Sequence, residues 1–519
     1  MMAFTVNVTL PPDAGQPIGT LFSLSRGGTR VAHAGAAYKS GTFYGNQHRQ
    51  LSFYFDGFNS TWTDLGAPFP EVWTETRCQS YAGKLYATNR DLRGEGHPGP
   101  NAAYLSASGE WTREQPPGLA VYGGSQDVCG GTLAFEETAV NFDGRTIFSL
   151  DTSKHHSLVA AYADGRLLVF AVGIANVSTN TISISKWACG DAKAAPLKSW
   201  DGPSTGYNPP ERNFPYAVLK ASSSGGFLVA TNLGDVYEVS DSALRVVHNW
   251  AEPAHPHTSW QPYTLLRHAD KVLVGQYPSG GVFEFDTTTR KLSDAPTPVG
   301  PEPGAGSSHR EAQELIAYAD SLYLGVWPWG TVWSLTPPKS EDAAAPGWML
   351  ARRLFASPAI SGEDAPWEAF IQNATGNFSN YWGQRVEGSC LHDGRAYFTT
   401  SAKNAGVRDW VGIIPADSQA QYGHVWELDN KGQVSGHFEW PFHGGSTLLR
   451  FAINERGIAV MQDGAPLASR TFPVPVKLPD LSGLEAKTCA SNLHVARSRS
   501  NSFQPAISTL NQAELNVQK

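Results

Sequence analysis

The sequence of 519 residues predicts an all-β protein made of repeated antiparallel strand units. Short apolar runs rich in Val, Leu and aromatic residues alternate with turns that carry Gly, Asp or Asn, which is the pattern of β-hairpins. The 52 Gly and 35 Pro make up about 17% of the chain and fall mostly between these runs. An average protein has about 12% of these two residues. No stretch longer than a turn or two has a helical pattern.

The most informative signal is an internal repeat with the pattern Gly-x-Val, an aromatic residue, Glu or Ser, and an aliphatic residue. Copies stand at Gly234, Gly281, Gly330 and Gly423, and the first three are 47 and 49 residues apart. A second apolar run precedes each copy, and a third lies upstream of it in the first three. The unit is therefore three or four antiparallel strands, and its length is typical of a propeller blade.

Stacking of such units around an axis explains why the chain repeats them. An isolated hairpin cannot bury its apolar face, whereas neighbouring blades can bury each other's faces. We therefore expect a single β-propeller over residues 1–476, with four-stranded antiparallel blades. Seven blades is the expected number and eight is the alternative, because the copy at 129–151 is either a blade or an embellishment. The strand around Ile18–Ser25 is expected to close the ring by pairing with the last copy.

Residues 477–519 have a different composition from the repeats. They are polar and weakly basic and lack the hairpin pattern. We expect them to form a polar C-terminal tail that wraps the ring or is partly disordered.

Charge and hydropathy exclude several classes of function. The net charge of −8, from 47 acidic and 39 basic residues, is unlike that of a nucleic-acid-binding protein. No apolar run is long enough for a transmembrane helix, so membrane insertion is not expected. The N-terminus lacks the basic and apolar regions of a signal peptide. An extracellular or surface location is favoured over others, and the oligomeric state stays open.

The five cysteines are scattered along the chain and never occur in CxxC spacing. This spacing excludes a zinc knuckle and a thioredoxin motif. Buried free thiols are the expected state, and one or two disulfides are the alternative for a secreted protein.

Four long loops precede predicted innermost strands and indicate where a ligand would bind. They cover 199–216, 250–263, 299–313 and 357–389, and loops longer than about 12 residues are usually functional or disordered. Because the segments before the innermost strands lie on one face of a propeller, beside the axis, we expect these loops to build a ligand-binding face. A purely structural cap on the ring is the alternative.

The side chains that these loops bring to the axis suit a sugar. Aromatic rings stack on the CH faces of sugars, amides pair with hydroxyls, and a uronate carboxylate takes a bidentate arginine. The predicted substrate-binding residues are Arg212, Trp260, Gln261, Tyr263, His309, Arg310, Gln313, Trp382, Gln384 and Arg385.

The segment SKHHSLVAAYADGRLLVF, residues 153–170, resembles the strands of seven-bladed propeller polysaccharide lyases and related carbohydrate-active propellers. The resemblance implies a His base, a Tyr acid and an Arg that neutralises the uronate. Carried over to this chain, the base is His156 or His155 and the acid is Tyr207 or Tyr216. The metal site of that family has no counterpart in this sequence. No metal ligand is therefore predicted and no cofactor is required, although a structural calcium or zinc ion stays open.

The expected function is cleavage of a uronate-containing polysaccharide or oligosaccharide by β-elimination. The alternatives are a non-catalytic glycan-binding or surface-attachment module and a protein–protein interaction scaffold. A glycoside hydrolase with paired carboxylates is a further enzymatic alternative, because several acidic residues, Glu311 among them, lie in the long loops. Trp327 and Trp329 of the WPWG segment fit packing between blades as well as sugar stacking.

Overall fold

The structure is a computed structural model that describes a defined set of residues. These are 2–10, 19–26, 29–39, 48–55, 60–90, 92, 100–121, 123–163, 166–173, 179–203, 215–220, 227–231, 235–240, 244–249, 261–268, 271–277, 280–286, 289–295, 311–318, 321–335, 347–357, 383–393, 395–402, 419–429, 435–439, 445–472, 475, 477 and 485–487.

All 37 elements in this part of the chain are β-strands, which confirms the all-β prediction. They are β1 (Met2–Leu10), β2 (Gly19–Arg26), β3 (Thr29–Lys39), β4 (His48–Phe55), β5 (Thr61–Asp64), β6 (Thr76–Tyr81), β7 (Lys84–Asn89), β8 (Ala102–Leu105), β9 (Trp111–Arg113), β10 (Ser125–Val128), β11 (Gly131–Phe135), β12 (Ala139–Phe142), β13 (Arg145–Ser149), β14 (His155–Ala163), β15 (Arg166–Gly173), β16 (Thr179–Ala188), β17 (Ala195–Pro203), β18 (Pro215–Lys220), β19 (Phe227–Thr231), β20 (Asp235–Val239), β21 (Leu244–Asn249), β22 (Gln261–His268), β23 (Lys271–Tyr277), β24 (Val282–Asp286), β25 (Leu292–Asp294), β26 (Glu311–Tyr318), β27 (Ser321–Trp327), β28 (Thr331–Leu335), β29 (Met349–Arg353), β30 (Gln384–His392), β31 (Arg395–Ala402), β32 (Val425–Asp429), β33 (Ser435–Glu439), β34 (Gly445–Asn454), β35 (Gly457–Gln462), β36 (Ala465–Thr471) and β37 (Glu485–Lys487).

Seven sets of four antiparallel strands follow one another between residues 61 and 429. The first six, here called the first to the sixth sheet, are β6–β9, β10–β13, β14–β17, β18–β21, β22–β25 and β26–β29. The copy at 129–151, which the sequence left open as an embellishment, belongs to the complete second sheet. The seventh sheet has the order β30–β31–β32–β5, so its outer strand comes from the N-terminal part of the chain.

The strand that completes the seventh sheet is not the predicted one. Thr61–Asp64 pairs with β32, from Asp429↔Thr61 to Trp426↔Asp64. The strand β2, which covers most of the predicted closing segment, pairs instead with β3 and with β37. The last sequence copy, β34–β36, is completed by β1. The physical reason is that the chain contributes several separate N-terminal strands, and hydropathy alone does not distinguish which partner each one meets.

Apolar side chains fill the spaces between successive sheets from the second to the seventh. One core joins the third, fourth and fifth sheets, and others join the second with the third, the fifth with the sixth, and the sixth with the seventh. A further core includes Cys78, Leu85 and Ala87 of the first sheet and Tyr397 and Val425 of the seventh. The first and last sheets of this series therefore pack against each other.

The remaining strands form two sets outside this series. β1, β34, β35 and β36 make one four-stranded sheet, and Arg470 of β36 pairs with Asp429 of β32 at 2.8 Å. β2, β3, β4, β33 and β37 join the fifth sheet through two residue pairs between β3 and β22. β37 lies in the predicted tail, and its pairing with β2 ties that part of the tail to the N-terminus.

Four of the five cysteines form disulfides, so the expectation of free thiols is wrong for them. Cys78 of β6 is bonded to Cys390 of β30, and Cys129 is bonded to Cys189. The members of the first pair are 312 residues apart, so only the packing of the first sheet against the seventh brings them together. Cys489 lies outside the described residues.

Candidate functional site

The first strands of six of the seven sheets form one series of contacts. β14 contacts β18, β18 contacts β22, β22 contacts β26, β26 contacts β30, and β30 contacts β6. Residues at corresponding positions of these strands therefore lie on neighbouring strands.

The same backbone irregularity occurs near the start of five of these strands. In the third to the seventh sheet, the register between the first and second strand shifts by one residue. Such β-bulges leave one residue unpaired and re-aim its side chain, and they are frequent beside active sites. The unpaired residues, here called the bulge residues, are His156, Tyr216, Tyr263, Gln313 and Glu387.

Four of the five bulge residues are among the residues predicted from the sequence. His156 and Tyr216 were predicted as base and acid, and Tyr263 and Gln313 as substrate-binding residues. The structure places all four at one type of register position. The fifth, Glu387, was not predicted.

Glu311, the first residue of β26, is the centre of a buried polar cluster. Its side chain has no exposed surface, and it accepts hydrogen bonds from Tyr263 Oη at 3.1 Å and from Gln313 Nε2 at 2.9 Å. Arg385 Nη2 lies 3.2 Å from the same carboxylate. A buried carboxylate is tolerated when it is paired and hydrogen-bonded in this way.

A second carboxylate extends the cluster toward the first sheet. Glu387 lies 3.6 Å from Arg385 Nη1 and 3.5 Å from Arg77 Nη2, and it accepts a hydrogen bond of 2.9 Å from Ser401. Arg385 therefore stands between two carboxylates, Glu311 and Glu387. We call Glu311, Gln313, Arg385, Glu387 and Arg77 the axial cluster.

The axial cluster contains residues that sequence analysis missed. Arg77 and Glu387 are both buried charged residues. Arg77 begins a predicted strand copy, and a charged residue beside an apolar strand is a signal for a buried ion pair, because such a residue needs a partner. Glu387 lies in the segment 357–389, which was predicted to be a loop, and the structure places it in β30 instead.

Gln384, a predicted substrate-binding residue, uses both ends of its amide within the protein. Its Nε2 donates to the backbone oxygen of Ser357 at 2.7 Å, and its Oε1 accepts from Arg353 Nη2 at 2.9 Å. Its backbone also bridges to Trp329. These bonds give Gln384 a role in joining the sixth and seventh sheets.

His155, the alternative base, is half-buried at the start of β14. A turn that begins at Asp151 positions it: the backbone oxygen of Asp151 accepts from the backbone N–H of His155 at 2.9 Å and lies 3.3 Å from its Nδ1. Hydrogen bonds from Lys154 and Ser153 hold the pKa of the Asp151 carboxyl at about 2, below its ordinary value of 3.8.

The other predicted site residues lie partly or wholly beyond what the structure describes. For His156, Tyr216 and Gln261 it describes the backbone, which belongs to β14, β18 and β22. The residues outside the described ranges are Tyr207, Arg212, Trp260, His309, Arg310 and Trp382.

The two tryptophans of the WPWG segment are buried, which favours the packing interpretation. Trp327 and Trp329 each expose about 2% of their surface. The guanidinium of Arg353 lies 5.5 Å from the centre of the Trp329 ring. The peptide bond between Trp327 and Pro328 is cis.

A cleft of about 780 Å³ lies between the first and second sheets, away from the axial cluster. Tyr81, Pro117, Thr132, Asn141 and Asp143 are among the residues that line it. None of the predicted site residues lines this cleft.

Within the described ranges, no group of three or more His, Cys, Asp and Glu side chains is arranged to hold a metal ion. The same part of the chain contains no helix with the length and hydropathy needed to span a membrane.

Comparisons with known proteins show only remote likeness. No family model matches the chain, and no curated protein matches it. Among solved structures, it is similar to the soluble aldose sugar dehydrogenase of Escherichia coli with 10% identity and a TM-score of 0.30, over 72% of this chain and 100% of that one. It is also similar to a GH43_1 enzyme from Xanthomonas citri, with 10% identity and a TM-score of 0.26, over 72% and 90% of the two chains.

A third similar structure is a putative 6-phosphogluconolactonase from Bacteroides fragilis. It has 11% identity and a TM-score of 0.33, over 61% of this chain and 94% of that one. Likenesses at this level carry no argument about the fold or the activity of this protein, which rest on its own strands and side chains.

Proposed function

We propose that the seven sheets between residues 61 and 429 close into a seven-bladed β-propeller, and that its axial face binds and cleaves a uronate-containing glycan. Apolar cores join the second sheet to the third, the third to the fourth and fifth, the fifth to the sixth, the sixth to the seventh and the seventh to the first. β5 completes the seventh sheet, and the Cys78–Cys390 disulfide links the seventh sheet to the first. Two disulfides also suit an extracellular location, where thiols are oxidised.

The observation that carries the functional proposal is the recurrence of the bulge. One extra residue near the start of the first strand in five successive sheets is a feature that these sheets share, rather than a property of one loop. In propellers with this feature, the extra side chains would meet around the axis. Here they are a histidine, two tyrosines, a glutamine and a glutamate, which suit proton transfer and recognition of hydroxyls.

The chemistry that we propose is β-elimination. His156 takes the proton from C5 of the uronate, the bond between C4 and the glycosidic oxygen breaks, and a C4=C5 double bond forms. Tyr216 or Tyr207 gives its proton to the departing oxygen. His155, the neighbour of His156, is the alternative base. A histidine suits the task because its pKa lies near neutral pH.

The carboxylate of the substrate needs a positive partner, because negative charge develops beside it as the proton leaves. Arg385 is held by Glu311 and Glu387, so binding a uronate would require it to give up a buried ion pair. We therefore assign the gripping role to Arg212 or Arg310, and we assign Arg385 to positioning of the axial cluster.

Non-catalytic glycan binding is the second candidate. The observation that favours it is that the charged groups of the axial cluster neutralise one another: Arg385 meets Glu311 and Glu387, and Arg77 meets Glu387. A cluster of this kind can support a binding surface of aromatic and amide groups without taking part in proton transfer.

The test is incubation with polygalacturonate, alginate and chondroitin sulfate while the ultraviolet absorbance of the unsaturated uronate product is recorded. We expect one of these polymers to be cleaved, and His156→Ala to lower the rate by about 10²–10⁴-fold. His392→Ala is the matched control, because His392 ends the first strand of the seventh sheet and contacts Ser80 at 3.0 Å.

Two results would decide against the lyase. Binding of a polymer by the wild-type protein without any unsaturated product would leave the non-catalytic glycan-binding module. Full activity of a folded His156→Ala protein would remove His156 from the mechanism and leave His155 to be tested in the same way.

A further inference from the structure

Gln313 is distinguished from the other buried glutamines by the way its amide is held. Its Nε2 donates to Glu311 Oε2 at 2.9 Å. An ionised carboxylate only accepts hydrogen bonds, so the amide nitrogen must face Glu311 and the amide oxygen must face away. The partner therefore fixes the orientation of the amide.

The amide oxygen of Gln313 is buried and has no hydrogen-bond partner among the described residues. The residue exposes only 4% of its surface, so the oxygen is shielded from bulk water. A buried acceptor without a donor is unfavourable, and most acceptors in proteins are satisfied. A ligand that supplies an O–H or N–H donor would recover this loss.

We propose that Gln313 Oε1 accepts a hydrogen bond from a hydroxyl group of the bound glycan and so helps to determine which sugar is accepted. This inference rests on the proposed function, since it assigns a specificity-determining residue to the same face. It makes Gln313 a recognition residue that takes no part in proton transfer.

The position of Gln313 in the fold supports this role independently of its unsatisfied oxygen. It is the bulge residue of β26, at the register position that His156 has in β14 and Tyr216 has in β18. Gln313 is the last residue of the segment 299–313, which was predicted to build the ligand-binding face, and β26 begins within that segment at Glu311. A sugar held beside a base on one inner strand can therefore be recognised by a side chain on another.

Gln79 provides a matched control, because it is equally buried and both ends of its amide are used within the protein. Its Nε2 donates to the backbone oxygen of Ala120 at 2.9 Å, and its Oε1 accepts from the backbone N–H of Ser125 at 3.1 Å. It exposes 3% of its surface, close to the value for Gln313. Unlike Gln313, it joins the first sheet to the segment that leads into the second.

The experiment compares Gln313→Met with Gln79→Met, since methionine has nearly the same shape as glutamine and no amide. Thermal unfolding measures stability, and titration calorimetry measures affinity for the polymer that the wild-type protein binds. We expect Gln79→Met to lower the unfolding midpoint more than Gln313→Met, because it removes the partners of one buried and one partly buried backbone group. In Gln313→Met, Glu311 keeps its bonds to Tyr263 and Arg385.

For binding we expect the opposite order. Gln313→Met should weaken glycan binding by about tenfold, the effect of one lost hydrogen bond, and Gln79→Met should bind as the wild type does. The wild type should also prefer polygalacturonate over its O-acetylated form, which has fewer hydroxyl donors, and Gln313→Met should lose part of that preference.

If the wild type binds a glycan, any of three results for Gln313→Met would overturn the inference about Gln313 and leave the proposed function standing. The variant could bind the glycan as tightly as the wild type, or it could discriminate against the O-acetylated polymer as strongly as the wild type does. It could also lose as much stability as Gln79→Met. The last would mean that the oxygen is satisfied from within the protein. If the wild type binds no polymer, the proposed function fails and the hydroxyl subsite fails with it.

Discussion

At the scale of single residues, identical side chains have different roles because their partners differ. Gln79 and Gln384 use both ends of the amide to join sheets, whereas Gln313 uses one end and presents the other. Sequence position alone treats Gln313 and Gln384 alike, as two glutamines at starts of predicted inner strands. The contacts separate a structural amide from a candidate recognition amide.

The turn before the predicted catalytic histidines gives a prediction at this scale. Asp151 has a pKa lowered to about 2, chiefly because its carboxylate accepts a hydrogen bond from Lys154 and another from Ser153. Because the pKa is lowered in the folded protein, these hydrogen bonds contribute fully to folding stability above the ordinary pKa of 3.8. Their contribution is lost as the pH falls toward about 2, where the carboxylate becomes protonated. We expect Lys154→Ala to raise the pKa of Asp151 toward 3.8, measured by NMR titration of the carboxyl carbon.

Asp151 is exposed, so this change should leave global stability nearly unaltered. An unchanged titration midpoint in Lys154→Ala would show that the ion pair of 2.8 Å does not hold the carboxylate in solution.

At the scale of elements, a glycine in the second strand of a sheet allows the first strand of the next sheet to approach it closely. A Cβ added to Gly325 of β27 would lie 2.5 Å from Val386 Cβ of β30, and one added to Gly275 of β23 would lie 2.5 Å from the backbone oxygen of Ala312 of β26. Both glycines pair with the residue that follows a bulge, Glu314 for Gly325 and Thr264 for Gly275. Bulge and glycine together define how one sheet contacts the next.

This arrangement predicts that Gly325→Ala destabilises the protein by about 1–3 kcal/mol, because Val386 must shift in a packed core. The matched control is Gly388→Ala in β30, where the added Cβ would find its nearest neighbour, Thr399 Oγ1, at 3.5 Å. That change should be neutral or stabilising by up to about 1 kcal/mol, since alanine loses less conformational freedom than glycine on folding. Urea unfolding measures the free energy of unfolding of both variants. An equal change in Gly325→Ala and Gly388→Ala would contradict the packing argument.

At the scale of the whole molecule, the described contacts join residues far apart in sequence through a series of packed sheets. Thr61–Asp64 pairs with β32, and His424 Nδ1 lies 2.9 Å from Asp64 across this junction. Cys78 and Cys390 link the first and seventh sheets covalently. Loss of the contact between these sheets would expose two apolar faces, so the packing of the first sheet against the seventh depends on distant parts of the chain.

The two disulfides should therefore differ in their contribution to stability. Cys78–Cys390 closes a loop of 312 residues and Cys129–Cys189 closes one of 60. From loop-closure entropy, the longer loop should contribute about 1.5 kcal/mol more, within the usual range of about 2–5 kcal/mol for a native disulfide. We expect Cys78→Ala with Cys390→Ala to lower the urea midpoint more than Cys129→Ala with Cys189→Ala.

Burial also predicts a larger contribution to stability from the Cys78–Cys390 disulfide, because Cys78 and Cys390 are buried whereas Cys129 and Cys189 are exposed. A larger loss from the second pair would indicate that the junction between the first and seventh sheets adds little to stability.

The sequence by itself determined the strand units of this protein. The turns that the sequence predicts at Ala269–Asp270 and Asp393–Gly394, and the apolar runs on either side, are patterns of residues a few positions apart. Such local patterns predicted the hairpins β22–β23 and β30–β31, the four-stranded sheets and the all-β class. The same patterns marked His156, Tyr216, Tyr263 and Gln313 as residues at starts of inner strands.

Only the tertiary structure decided which distant segments meet. Thr61–Asp64 as the outer strand of the seventh sheet, the pairing of Cys78 with Cys390, and the position of Arg385 between Glu311 and Glu387 all depend on how whole sheets are arranged. The bulges also belong to this group, because a register exists only once two strands have paired. Hydropathy describes what each segment must bury, whereas the partner that covers it is set by the packing of the complete chain.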